Sequence, residues 1–182
     1  AKDGSASISL KDIGNRAMAN NGKALEVTES HSSPVSPPPF MVGMAEIEMD
    51  QETCDFELVN YVAVVDCGTP INPAIARVQT EGGLGQGIGM AMFEDVTRSE
   101  KGQVYENSFM QYKLPTRVDV GNIRVEFESS YEPTGPFGVK SIGEVVINTP
   151  SPAIAAAVAN ATGVQIRELP ITPEKIFKEL HK

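Results

Sequence analysis

Apolar and polar residues alternate with a period of two in residues 40–50 and, after a short polar turn, again from residue 56 onward. This alternation predicts two strands joined in a β-hairpin. The second strand becomes continuously apolar at residues 62–65, which is typical of a strand that is covered on both faces. Alternation returns at residues 123–127 and predicts a third strand.

A spacing of three to four residues between apolar positions predicts helices elsewhere in the chain. The first helix is expected at residues 10–21, because Ser9 and Asp12 form a capping box and Asn21-Gly22 is a termination signal. A second stretch of helical spacing covers residues 73–95. Two further helices are expected to begin at Ser151-Pro152, with Gly163 as terminator, and at Thr172-Pro173, with Ile176, Phe177 and Leu180 facing inward.

The stretch 73–95 is unusual because a helix tolerates glycine poorly. Each glycine in a helix interior costs about 1 kcal/mol relative to alanine, so the five glycines cost roughly 5 kcal/mol. Two explanations remain open, namely close packing of the helix on a sheet or a large rigid ligand lying against its backbone. The spacing does not match a dinucleotide-binding or phosphate-binding loop. The glycines are Gly82, Gly83, Gly85, Gly87 and Gly89.

Prolines mark the main internal boundary. Residues 30–39 contain Pro34 and three consecutive prolines at 37–39, so this segment is expected to be extended, either as a linker or as a long arm packed on a partner. We therefore predict an N-terminal helix with its linker in residues 1–39 and a main domain in residues 40–182. The mixture of helices and strands, with 16 Gly and 13 Pro, indicates an α+β fold with a mixed or antiparallel sheet, packed helices and many loops.

Charge and cysteine usage narrow the function. The formal net charge of −9 argues against nucleic acid as a partner. No apolar run approaches the length of a membrane span, and we expect a cytoplasmic protein. Cys54 and Cys67, together with His31 and His181, show no metal-ligand spacing, so the two thiols are expected to be reduced and structural.

One carboxylate has a suggestive position. Glu144 follows Gly143 at the end of a loop rich in proline and glycine, and it directly precedes the apolar run 145–147. A single acid with apolar neighbours is a candidate general base. The alternative is a solvated turn end, which is the more common reason for a Gly-Glu pair in a loop.

Four motifs, taken together, resemble a known family. In this chain order they resemble the C-terminal part of the molybdenum-binding subunit of the xanthine dehydrogenase and aldehyde oxidase family, over roughly residues 40–182. They are Asp66-Cys67-Gly68-Thr69-Pro70-Ile71-Asn72-Pro73, Gln79-Thr80-Glu81-Gly82-Gly83-Leu84-Gly85-Gln86-Gly87-Ile88-Gly89, Tyr112-Lys113-Leu114-Pro115-Thr116 and Gly138-Val139-Lys140-Ser141-Ile142-Gly143-Glu144.

The resemblance implies hydroxylation of N-heterocycles of the purine or nicotinate type, or of aldehydes, with water as the oxygen source. It places Glu144 as the general base that deprotonates the molybdenum-bound hydroxyl group. It implies a molybdenum–molybdopterin cofactor, and the cytosine dinucleotide form is one of the forms that this allows. It implies no protein ligand to the metal in this chain. The residues that it places at the cofactor are Gln79, Gly82, Gly83, Gln86 and Lys140, the last as a residue that fixes the loop.

The resemblance also implies partners. The remainder of the molybdenum subunit, a 2Fe–2S module and an FAD module are not encoded in these 182 residues, so we expect activity only after assembly with them. Two alternatives stay open. The chain could be a non-catalytic structural or assembly module of the same fold, or it could belong to a member of the carbon monoxide dehydrogenase type.

Overall fold

The computed structural model describes residues 4–182, and these fall into two units divided between Ser32 and Ser33. The first unit contains helix α1 (Leu10–Asn21). Ser9 caps it by accepting a hydrogen bond from the Asp12 amide at 3.1 Å, and Gly22 ends it with a φ of 63°. The predicted helix and both of its end signals are therefore confirmed.

The second unit combines a three-stranded sheet with three helices. Strand β1 pairs with β2 antiparallel, and β2 pairs with β3 parallel, so the sheet is mixed and the α+β class is confirmed. The elements are β1 (Phe40–Met49), β2 (Phe56–Asp66), α2 (Pro73–Met92), β3 (Asn122–Phe127), α3 (Pro150–Thr162) and α4 (Pro173–Leu180), with short 3₁₀ turns at Pro136–Gly138 and Val145–Ile147.

Helices α2 and α3 cover one face of the sheet, and the core lies between these layers. Glycine is required at position 43 in β1 for steric reasons, because a Cβ at this position would overlap with the Tyr61 hydroxyl. That hydroxyl donates a hydrogen bond to Thr149 Oγ1 at 2.8 Å and so ties β2 to the start of α3. The side chains that are completely buried include Tyr61, Ala63, Val65, Leu84, Ile88, Val125, Ile154 and Val158.

Helix α2 forms in spite of its glycines, and close packing accounts for two of them. A Cβ at Gly83 would overlap with the Val146 side chain, and a Cβ at Gly87 would lie 2.6 Å from Pro150 Cγ. The surface that approaches these glycines is the segment 145–150 and not the sheet. Gly82 and Gly85 differ, because a Cβ at either position would meet no atom within 4 Å.

Three details differ from the expectations. Within the second unit, strand β2 is covered by helices on one face only, and Val64 on the other face is 37% exposed. Helix α3 begins at Pro150 with Thr149 as N-cap, so Ser151-Pro152 lie inside its first turn.

The third correction concerns α4. Ile176 is buried as expected, but Phe177 and Leu180 are 46% and 40% exposed. The helical turn of about 100° per residue carries Phe177 away from the Ile176 face, and its ring stacks on His181 with the centroids 4.1 Å apart. None of the helices in residues 4–182 is long and apolar enough to cross a membrane.

Candidate functional site

The segment 138–144 crosses the carboxyl end of β2. The Thr69 amide donates a hydrogen bond to the Gly138 carbonyl at 2.8 Å, and the Lys140 amide donates to the Cys67 carbonyl at 2.7 Å. These bonds extend the backbone pairing beyond the end of the sheet, with an antiparallel bridge between Gly68 and Val139. The loop that ends in Glu144 is therefore attached to β2 through its own backbone.

Asp66, the last residue of β2, holds the start of this loop. Its carboxylate accepts hydrogen bonds from Lys140 Nζ at 2.7 Å, Ser130 Oγ at 2.5 Å and the Gly68 amide at 3.0 Å. The hydrogen bond from Lys140, followed by that from Ser130, lowers the pKa of Asp66 to about 2. The Lys140 side chain is only 11% exposed, so this ion pair is shielded from water.

Sequence reasoning did not identify Asp66 or Ser130 as part of the site. Asp66 does stand in one of the motifs, where an acid directly follows an apolar strand, and that is a usable signal. Ser130 gives no signal, because nothing in the sequence distinguishes it from other serines in loops. The Lys140 ammonium also lies 5.6 Å from the centroid of the Phe40 ring, within the range of a cation–π contact.

The other end of the loop contacts α2. Gln79 Nε2 donates a hydrogen bond to the Gly143 carbonyl at 3.2 Å, directly before Glu144. Glu144 itself is exposed and its side chain does not cap the 3₁₀ turn that follows. Val146 in that turn is completely buried and packs on Gly83. The carboxylate is thus exposed on a backbone that is fixed on both sides.

An apolar cleft of about 480 Å³ lies against this loop, and Gly143, the residue before Glu144, is part of its lining. Gln79, Lys140 and Cys67 line it as well. Burial raises the pKa of the Cys67 thiol, which agrees with a structural and unreactive cysteine. The apolar lining consists mainly of Pro70, Ile71, Ile75, Ala76, Val139 and Ile142.

The predicted cofactor residues divide into two groups. Gln79, Gly82 and Gln86 are exposed and share the outward face of α2, because they are three and four residues apart. Gly83 lies on the inward face against Val146, and Lys140 is paired with Asp66. The structure therefore brings Gln79 close to Glu144 through Gly143, and Lys140 lines the same cleft while paired with Asp66, whereas Gly83 faces Val146.

The outward group suits a flat polar ligand. Two side-chain amides can donate and accept hydrogen bonds, and the absence of a side chain at Gly82 leaves open space between them. Within the described range 4–182, no group of three or more His, Cys, Asp or Glu side chains could hold a metal ion.

Comparisons with known proteins define the class of this chain. Residues 1–121 match the family model of the molybdopterin cofactor-binding domain. The chain therefore belongs to the molybdopterin cofactor-binding domain family. The xanthine dehydrogenase molybdenum-binding subunit of Escherichia coli O157:H7 is 34% identical over 177 residues, which are 96% of this chain and 24% of that protein. The matched region thus includes the N-terminal helix, whereas the resemblance carried by the four motifs covered only the chain from about residue 40 onward.

Solved structures agree in fold and in sequence. Quinoline 2-oxidoreductase from Pseudomonas putida 86 has a TM-score of 0.71 and 36% identity, over 76% of this chain and 18% of that one. Reconstituted CO dehydrogenase from Oligotropha carboxidovorans has a TM-score of 0.71 and 29% identity, over 77% and 18%. The relatives are thus molybdenum-dependent oxidoreductases, and this chain spans about a quarter or less of their length.

Proposed function

We propose that this chain is the part of a molybdenum hydroxylase that supplies the general base Glu144 and one side of the molybdopterin site. The observation that carries the proposal is the position of the carboxylate. It is exposed at the end of a loop that lines an apolar cleft, and Asp66 holds this loop at its start while Gln79 holds it at its end. A base that must meet a reacting group needs both access and a fixed position.

The residues on the outward face of α2 fit the cofactor. Gln79 and Gln86 would hydrogen-bond its polar edge, and Gly82 would allow the helix backbone to approach it closely. Gly83 and Lys140 would act indirectly, because they hold α2 and the Glu144 loop in place. When bound, the molybdenum cofactor supplies the redox chemistry of the reaction.

Glu144 would accept a proton in the hydroxylation of an N-heterocycle of the purine or nicotinate type, or of an aldehyde. A positioned carboxylate of this kind contributes about 10² to 10⁴ in rate. The apolar cleft that the same loop lines would accommodate a planar ring. Water would be the source of the oxygen atom that is added.

The proposal includes assembly with chains or domains beyond these residues. The rest of a molybdenum-binding subunit would complete the cofactor site, and 2Fe–2S and FAD modules would carry the electrons away. We further propose the cytosine dinucleotide form of the cofactor as one of the forms to be tested. We expect the reaction in the cytoplasm.

The experiment compares Glu144→Gln with Glu128→Gln in the assembled enzyme. Glu128 is also an exposed glutamate, but it lies beyond the end of β3 and outside the cleft. Both variants should contain as much molybdenum per complex as the wild type. Hydroxylation of xanthine, nicotinate and aldehydes should fall by about 10² or more only for Glu144→Gln.

Two other outcomes would change the assignment. Unchanged activity in Glu144→Gln would remove this residue as the base. The absence of molybdenum from the assembled wild type would leave a non-catalytic module of the same fold.

The similarity to CO dehydrogenase supports a second candidate substrate. Carbon monoxide should therefore be included in the substrate panel. Oxidation of carbon monoxide without turnover of the heterocycles or aldehydes would favour this second candidate.

A further inference from the structure

The face of the sheet that α2 and α3 do not cover carries a continuous apolar patch. We name Phe40, Val42, Met44 and Val64 the outer sheet patch. These side chains are 60%, 64%, 58% and 37% exposed. Val42 pairs directly with Val64 across the two strands, and Phe40 and Met44 lie two residues away on either side.

The sequence pattern indicates that this patch is covered in the working protein. An antiparallel strand with one face in water alternates between apolar and polar residues. Strand β2 instead is apolar at four consecutive positions, 62–65, and within the second unit only every second side chain of this run packs against helices. An apolar surface that is not covered within the chain commonly marks an interface.

Acidic residues border the outer sheet patch at one end. Glu46 and Glu48 continue the same face of β1, and Glu57 pairs with Glu48 on β2. A second copy of the chain, also with a formal net charge of −9, would bring further acidic surface toward these residues. A partner with an apolar centre and basic residues at the acidic end is a better match.

The patch is also continuous with the candidate site. Phe40 pairs with Asp66 in the sheet register, and its ring lies 5.6 Å from the Lys140 ammonium. A partner on the patch would therefore shield the Asp66–Lys140 ion pair that holds the Glu144 loop. Contact with the partner and the position of the base would be physically linked.

We propose that the outer sheet patch docks the remainder of the molybdenum-binding subunit, which would present an apolar surface flanked by Lys or Arg. The length of the relatives supports this occupant, because the chain spans only 24% of the Escherichia coli O157:H7 subunit. The inference rests on the proposed function, since it takes its partner from the assembled enzyme. It adds the surface by which the two parts meet.

The test uses Val42→Asp with Val118→Asp as matched control. Both valines are exposed, Val118 to 90%, but Val118 lies in the turn 117–120 before β3 and is not part of the outer sheet patch. Val42→Asp should lower the amount of chain recovered in the complex by at least about tenfold, whereas Val118→Asp should change it less than about twofold. Equal losses in the two variants would overturn the assignment to this patch.

Oxidation of Met44 by peroxide gives a second readout that needs no substitution. In the assembled wild type, Met44 should oxidise at least about tenfold more slowly than in the isolated chain, because the partner covers it. Equal rates would overturn the proposal, as would protection that depends on the concentration of the isolated chain, which indicates a second copy as the occupant.

Molybdenum content and activity separate this inference from the proposed function. A loaded, active enzyme with Met44 unprotected would contradict the docking surface and leave the function intact. Protection of Met44 in a complex without molybdenum would support the docking surface and contradict the function.

Discussion

The two faces of helix α2 use glycine for opposite reasons. On the inward face, Gly83 and Gly87 lie so close to Val146 and Pro150 that no side chain would fit. On the outward face, Gly82 and Gly85 have open space around them. Each glycine costs about 1 kcal/mol in helix stability. Close packing offsets this cost on the inward face, whereas no contact from residues 4–182 offsets it on the outward face.

The largest expected effect is the difference in stability between alanine substitutions on the two faces of α2. Gly83→Ala should destabilise the chain by about 1–3 kcal/mol, because the new methyl group forces Val146 to move. Gly85→Ala should stabilise it by up to about 1 kcal/mol, because only the helix preference changes. Denaturant unfolding of both variants beside the wild type measures the difference. Changes of the same sign in both variants would contradict the distinction between the faces.

The second prediction tests the start of the Glu144 loop, which is bound to Asp66 and not to α2. Asp66→Asn should cost about 2 kcal/mol at pH 7, since it leaves the Lys140 ammonium without its charged partner. The lowered pKa of Asp66 means that this stabilisation is complete above about pH 4 and is lost as the pH falls toward 2. The stability difference between wild type and variant should therefore shrink over that interval.

Unfolding curves measured at several pH values between 7 and 2.5 test this dependence, with exposed Asp95→Asn as the control. A difference that stays constant down to the lowest pH would show that the ionised Asp66 carboxylate is not the source of the stabilisation.

A substitution on the outward face of α2 gives the smallest expected change in the free energy of unfolding. Gly82→Ala should raise the free energy of unfolding by about 0.5–1 kcal/mol, but lower the molybdenum content of the assembled enzyme. Gly85→Ala should give a similar stability gain with normal molybdenum content. Full loading of the Gly82→Ala enzyme would show that the cofactor does not approach the helix at this position.

Local signals predicted the elements of the fold well. The Ser9 cap, Gly22 and the period of two in the hairpin each act over a few residues, and the structure confirms all three. The pairing of strands that are far apart in the sequence left no comparable local signal. The parallel pairing of β3 with β2, for example, depends on the path of the intervening chain and cannot be read from alternation in residues 122–127.

The same limit applies to the candidate site. Motif order indicated Glu144 and Gln79, and in the structure Gln79 hydrogen-bonds the carbonyl of Gly143, the residue before Glu144. The partners of Lys140 could not be derived from the sequence, because Asp66 is 74 residues away. The two reasons for glycine in α2 could not be separated either, since both depend on what lies opposite each position in space.

The parallel pairing of β2 and β3 has a consequence for the order of folding. The β1–β2 hairpin closes through the short turn 50–55, whereas β3 can join the sheet only after residues 67–121 have crossed over, including all of α2. Closing a long connection is entropically costly and slows folding. We therefore expect hairpin amides to gain protection from hydrogen exchange before those of β3 in pulse-labelling during refolding. Simultaneous protection would show instead that the sheet forms in one step, with the crossover already in place.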